Sequence, residues 1–393
     1  MSLSVNLRST SMAALIVGIL LIAVNLRAPF TALPPLLGEI QISFGLSTMA
    51  MGALTTLPLL AFAFISPLSV IFSRKVGLER ALFFALIAIA LGIALRSEGG
   101  IWFLYLGTAV IGMGIAIANV LLPSVVKRDF PHHVGLMTSA YALAMGVGSA
   151  FASMIVIPLA TTWNWQVSLL SFLFLPLMTL VVWSGQLKTP AVQKVVSTKG
   201  DVVKSRIWSS ALAWQVTLFL GLNSTVYYVI IGWLPAILVD SGYSAAQAGT
   251  VHGTLQLATA VPGLLMGAIL QRLPDQRLAA AVACLLSAIA MIGFLCFSSL
   301  AFIWAIFFGL GTGAGIILGL SLIGLRTSNA LQAASLSGMA QCIGYSLASC
   351  APILMGFLHD VFNGWSVPLA ISILLALIGA IIGTMAGRNC TIK

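Results

Sequence analysis

Apolar residues in this chain run in long unbroken blocks, and polar residues collect in the gaps between them. Breaks at charge, proline and Gly/Ser clusters divide the chain into twelve such blocks, at residues 12–37, 48–72, 81–96, 101–122, 134–158, 165–184, 210–238, 245–270, 278–297, 300–325, 331–357 and 365–387. A helix needs about 20 mainly apolar residues to cross a bilayer, and only helices and closed barrels satisfy their backbone groups there. Barrel strands alternate apolar and polar positions over about 10 residues. The blocks here show no such alternation, so the pattern predicts twelve membrane-spanning helices. The first block has no A-x-A-like cleavage site after it and reads as a retained helix.

Composition agrees. Charged residues are 7% of the 393 and hydrophobic residues 60%, against roughly 25% charged in soluble domains. In water such a chain would expose large apolar patches. The placement of charge adds topology, because Lys and Arg collect on the cytoplasmic side. Arg8, Arg74, Lys75, Arg80, Lys127, Arg128, Lys188, Lys194, Lys199, Lys204, Arg206, Arg272, Arg277, Arg326, Arg388 and Lys393 all fall at the two chain ends or in even-numbered connections. Of the 18 cations, only Arg96, on the opposite face, and Arg27, inside the first block, lie elsewhere. The pattern predicts an inner-membrane protein with both termini cytoplasmic. The net charge of +10 then reports topology and attraction to anionic membrane lipids, not nucleic-acid binding.

The chain also repeats at a nearly constant offset. Gly45-Leu46-Ser47 with Gly52 recurs as Gly242-Tyr243-Ser244 with Gly249, Arg74 and Arg80 recur as Arg272 and Arg277, and Arg128 and Gly146 recur as Arg326 and Gly344. Two six-helix halves running in the same sense are expected, at residues 1–185 and 210–393, joined by a polar cytoplasmic linker at 186–209. Two parallel bundles about an axis along the membrane normal are the architecture of a rocker-switch transporter, with its substrate site between the halves near mid-membrane.

The 6+6 pattern with a basic connection after the second helix resembles the major facilitator superfamily. Asn25-Leu26-Arg27, Asn119 to Pro123 with Lys127-Arg128-Asp129-Phe130-Pro131, Tyr227 to Leu238, and Gly338 to Gln341 with Gly344-Tyr345 resemble the cyanate permease family, and within it the branch named for 2-nitroimidazole transport. The resemblance implies a twelve-helix, all-α secondary transporter moving a small planar anion or polar heteroaromatic compound by alternating access. In the superfamily's gating motif between helices two and three, Gly77 and Arg80 fit the pattern and Arg74 precedes them. An Arg or Ser stands where that motif usually carries an aspartate.

Polarity at depth selects the candidate site. Arg27 sits about fifteen residues into the first block, where a guanidinium is costly unless it meets a wet cavity or a partner. The carboxylates fall in connections or at block edges, leaving a bound anion, aromatic rings or backbone carbonyls to balance it. Other polar residues come in pairs four apart, on one helix face: Asn223 with Tyr227, His252 with Gln256, and Gln341 with Tyr345, joined by Asn119 and Tyr141. Tyr228 and Trp233 lie displaced around the wheel and are less favoured. His252 is the candidate for proton coupling, since it alone of the four histidines is placed for an intramembrane relay. Pro34, Pro35, Pro58, Pro67, Pro235 and Pro262 are expected to kink or end helices.

Other classes fit poorly. The glycine clusters of the fourth and tenth blocks lack the Lys-Ser/Thr ending of a phosphate loop, so they are expected to serve helix packing. No catalytic or metal constellation, and no cofactor site, is apparent. The five cysteines lack a C-x-x-C pair. A monomer that carries a small molecule, with protons as a possible coupling ion, is the expected reading. A broad-range drug exporter and a non-transporting receptor are the alternatives.

Overall fold

In the computed structural model, which describes residues 2–188, 206–328 and 330–392, every regular element is helical. The crossings follow the expected order. The first runs through Ser2–Asn25, Ala28–Thr31, Pro34–Leu36 and Leu37–Phe44. Next come Thr48–Val76, Leu78–Arg96, Ile101–Asp129 and Val134–Thr162; the sixth is divided into Trp165–Ser171 and Phe174–Ser184. The seventh is Ala211–Asp240, and the eighth is Ala245–Ala260 plus Pro262–Arg272. Arg277–Cys296, Ala301–Leu325, Ala330–Phe362 and Ser366–Ala386 complete the twelve. Eleven hold a helix long and apolar enough to span a bilayer; the eighth is broken at Val261, where Pro262 starts a new segment. Most of the expected linker at 186–209 lies outside the described residues, between the short turns Gly185–Lys188 and Arg206–Ser209.

Prolines break the helices unevenly. Pro29 withdraws the N–H that would continue the ladder, and the first helix stops at Asn25 and restarts after Arg27. Pro34 and Pro35 add a tight turn beyond it. Pro58 and Pro235, expected to kink or end helices, end neither: the second and seventh crossings continue through them. Neighbouring helices can re-satisfy a backbone group freed by proline in a membrane.

The repeat is physical. Gly45 and Gly242 both adopt the left-handed conformation, at φ 62° and 94°. Each is followed two residues on by a serine that caps the next helix, Ser47 accepting from the Ala50 N–H and Ser244 from the Gln247 N–H, each at 3.2 Å. At the other face Arg128 pairs with Glu79 at 2.6 Å. Its counterpart Arg326 donates to Gln276, the residue that matches Glu79 at the repeat offset. The two halves therefore carry the same clasp between their third and fourth helices, ionic in one and neutral in the other. Glu79 supplies the acid of this region, although none stands at the expected place in the motif.

Close helix packing is made at glycines, as expected of the fourth and tenth crossings. A Cβ on Gly114 would lie 2.6 Å from the Ala85 carbonyl, and one on Gly311 would lie 2.7 Å from that of Ala283. The halves meet along two seams, second against eleventh crossing and fifth against eighth, both on the face opposite the chain ends. There Thr56 donates to the Ser349 carbonyl at 2.9 Å. Asp360 accepts from the backbone N–H groups of Thr48 and Met49 at 3.3 and 2.9 Å. Gly52 lies against the Pro352 backbone and Gly249 against Ser153. The molecule is closed on that face.

Candidate substrate site

Between the halves lies a central cavity of about 380 Å³ with Arg27 on its wall. Its floor on the chain-end side includes Leu320 and Gln341, both exposed, so it opens toward the face that carries the chain ends. Smaller cavities of about 160 and 50 Å³ adjoin it, and Arg27 lines all three. The break in the first crossing places it there. As the residue preceding the short Ala28–Thr31 helix, Arg27 has φ −125° and ψ −44°, and its carbonyl accepts from the Thr31 N–H at 2.9 Å.

One guanidinium nitrogen of Arg27 donates to the Tyr227 hydroxyl at 2.7 Å, and that hydroxyl donates to Gln256 Oε1 at 3.1 Å. The guanidinium carbon also stands 5.4 Å from the centre of the Tyr227 ring. Among the described residues Arg27 has no carboxylate partner. A fixed charge from one half is thus aimed by a tyrosine and an amide of the other half, leaving its remaining N–H groups for the cavity.

Aromatic rings form the adjoining wall. Phe62 and Tyr345 stack across the halves at 5.4 Å and 18°. Tyr228 meets Tyr227 edge-on at 5.2 Å and Phe30 at 6.2 Å. Asn119, Ser224, Tyr141 and Gln341 supply polar atoms around the same space. Charge at one end, flat rings beside it and hydrogen-bonding groups around the rim suit a small planar polar solute.

Of the residues expected at the site, Arg27, Asn119, Tyr141, Tyr227, Gln256, Gln341 and Tyr345 line these cavities. Asn223 does not: its amide donates to the Thr312 carbonyl at 3.1 Å, in a slot left by Gly315 at the seventh-to-tenth interface. His252 lies outside as well. It is fully buried in the seam between the fifth and eighth crossings, its ring nitrogens 2.9 Å from Ser153 Oγ and 3.0 Å from the Ile231 carbonyl. Spacing of four groups residues on one helix face but leaves open which neighbour that face meets. Tyr228, less favoured from the sequence, lines the central cavity, whereas Trp233 is buried against the Pro352 carbonyl on the closed side. Phe62 and Ser66 were missed. Their spacing of four on the second crossing mirrors Gln341 and Tyr345 on the eleventh and was the available signal.

Arg74, Gly77 and Arg80 lie at the chain-end face, with Gly77 at φ 94° ending the second crossing. Arg96 is buried, not displayed on the opposite face, and donates to the Pro29 carbonyl at 2.8 Å. It therefore braces the broken segment that carries Arg27.

The profile of the Major Facilitator Superfamily matches residues 15–349. The chain is 51% identical over its whole length, and over the whole of the relative, to a 2-nitroimidazole transporter of Escherichia coli. It is 27% identical to the cyanate transport protein CynX of the same organism, over 88% of this chain and 90% of that one. Among solved structures, a D-xylose–proton symporter superposes with a TM-score of 0.78 at 14% identity, covering 96% of this chain and 98% of its own.

Proposed function

The chain belongs to the Major Facilitator Superfamily and is a multi-pass membrane transporter, not an enzyme; from that premise we propose that it carries a small planar anion or a nitro-substituted or similarly polar heteroaromatic through the cavity around Arg27. The observation that carries this reading is the uncompensated guanidinium of Arg27, held by Tyr227 and Gln256 between the halves. A planar fork of N–H groups bonds two oxygens of a nitro, carboxylate or similar group at once. The Phe62–Tyr345 stack and Tyr228 offer flat faces to a ring held there. Resemblance to carriers of 2-nitroimidazole and cyanate points to the same chemistry.

The chain-end face is assigned to the cytoplasm by its arginines and lysines, in an inner membrane. This reading takes the working unit as a monomer, with the residues around Arg27 drawn from the two halves of one chain. It keeps protons as a coupling ion beside anion exchange without one, and takes the region of Arg74, Gly77 and Arg80 to act in gating. Purified protein in lipid vesicles, loaded with 2-nitroimidazole or cyanate and given the radiolabelled compound outside, tests the assignment. Wild type is expected to exchange at least one label. Arg27→Lys keeps the charge but loses the fork and is expected to weaken binding about ten- to hundredfold, roughly 1.5–3 kcal/mol. Wild-type affinity in that variant overturns the role of Arg27.

A further inference from the structure

The seam between the fifth and eighth crossings holds a buried imidazole for which substrate contact provides no role. His252 belongs to the second half, and its partner Ser153 to the first. We infer that His252 and Ser153 form a proton site whose occupancy follows the charge at Arg27, so that an anion on Arg27 and a proton on His252 are taken up together. The identity of that anion rests on the proposed substrate site; the proton site itself rests on the geometry that follows.

The Ile231 carbonyl can only accept, so Nε2, 3.0 Å away, carries a hydrogen in every state. The 3.4 Å approach of the Gln256 amide nitrogen to Nε2 is then packing and not a bond. The variable proton falls to Nδ1, 2.9 Å from Ser153 Oγ. That hydroxyl also lies 3.0 Å from the Ser149 carbonyl and 3.2 Å from the Thr31 carbonyl. With the ring neutral, the Ser153 O–H donates to Nδ1. When water delivers a proton to Nδ1, the new N–H donates to Oγ and the hydroxyl hydrogen turns to Ser149 or Thr31. One rotation keeps every polar atom bonded in both states, which a buried histidine between two fixed donors or two fixed acceptors could not do.

The charge coupling follows from distance. Arg27 reaches His252 through Tyr227 and Gln256 over separations of 2.7, 3.1 and 3.4 Å. With the width of the Gln256 amide included, the Arg27 nitrogen and Nε2 lie within about 11 Å of each other, and at that limit the repulsion is equivalent to about tenfold in proton affinity at an effective dielectric near 20. An anion on Arg27 cancels that repulsion. Few other groups compete. The tenth crossing and Pro34–Leu36 bring no ionisable side chain, and the fifth brings only Tyr141, about three turns from Ser153. The seventh brings Tyr227, Tyr228 and, at its far end, Asp240, which is bonded to Trp365. Because the His252–Ser153 bond closes the seam, parting the halves on that face exposes Nδ1 to water from that side.

Full-length protein in lipid discs, labelled with nitrogen-15 histidine, tests this by titration, with the His252 signals identified by their loss in His252→Gln. Arg27→Gln mimics neutralisation and is expected to raise the proton affinity of His252 about tenfold without any substrate. Ser153→Ala is expected to lower it, and Ser153→Thr, which keeps the hydroxyl, to restore it. Identical titration of wild type and Arg27→Gln overturns the coupling, and identical titration of Ser153→Ala and wild type overturns the Ser153 role. In vesicles, cyanate-driven proton movement should vanish in His252→Gln; cyanate-driven proton movement retained in that variant also overturns the inference. Absence of cyanate exchange in wild type counts against cyanate as the substrate, and the Arg27→Gln titration still decides the proton site.

Discussion

Removing the Asp360 carboxylate should open the face opposite the chain ends. This side chain reaches from the eleventh crossing to the start of the second and accepts from the N–H groups of Thr48 and Met49, while Ser47 caps the Ala50 N–H. Three of the four N–H groups that a helix start leaves unpaired are thereby satisfied, two of them by the other half of the molecule. Hydrogen bonds to a charged group contribute about 1.5–3 kcal/mol, and a carboxylate at a helix N-terminus about 0.3–1 kcal/mol more. Met49 is exposed, and solvent screening reduces the sum to roughly 1–2 kcal/mol for Asp360→Ala, a five- to thirtyfold shift between closed and open populations. Asp360→Asn retains one acceptor and should shift it less. Spin labels at Ser43 and Phe362, both exposed near the two helix ends, report the separation by pulsed dipolar spectroscopy in a background lacking the exposed cysteines. A longer-distance population that grows in the order wild type, Asn, Ala is expected. Unchanged distributions in Asp360→Ala would show that the carboxylate adds nothing to closure.

Gly52→Ala places a Cβ 2.5 Å from the Pro352 carbonyl oxygen and 2.9 Å from the Ile353 Cα. Overpacking of this kind costs about 1–3 kcal/mol, so the same label pair should show a larger open population; an unaltered distribution refutes tight packing at that seam. Glu79→Gln gives the first half the neutral clasp that Gln276 already makes in the second. Arg128 is 37% exposed and keeps Asp129 at 2.7 Å, so a loss under about 1 kcal/mol is expected by thermal unfolding. A loss above roughly 3 kcal/mol would show that the charge itself is required.

Much of the fold was legible in the chain because lipid imposes simple rules. Block lengths gave the crossings, cation placement gave two unlike faces, and a constant offset gave the repeat, down to the Gly-x-Ser turns that cap the second and eighth crossings. The site was legible where a residue was costly at its depth. Arg27 stood out because a mid-membrane guanidinium needs a reason, and Tyr227, Gln256, Gln341 and Tyr345 followed from their spacing. Asn223 and His252 share those helix faces yet meet neighbouring helices instead of the cavity. Their environment depends on helix rotation and on features such as Gly315, which admits the Asn223 amide, and these are properties of the packed interface.

The sequence by itself determined a twelve-helix membrane protein of two like halves with one anomalous charge, because hydrophobicity, charge and repetition are properties of the chain. Only the tertiary structure decided that Pro29 breaks the first helix beside that charge, that Arg96 braces the break, and that Tyr227 and Gln256 of the other half aim the guanidinium. It also decided that His252 closes a seam between halves and does not line the cavity. Each of these joins residues far apart in the chain, and a local pattern carries no information about which helices will face each other once packed.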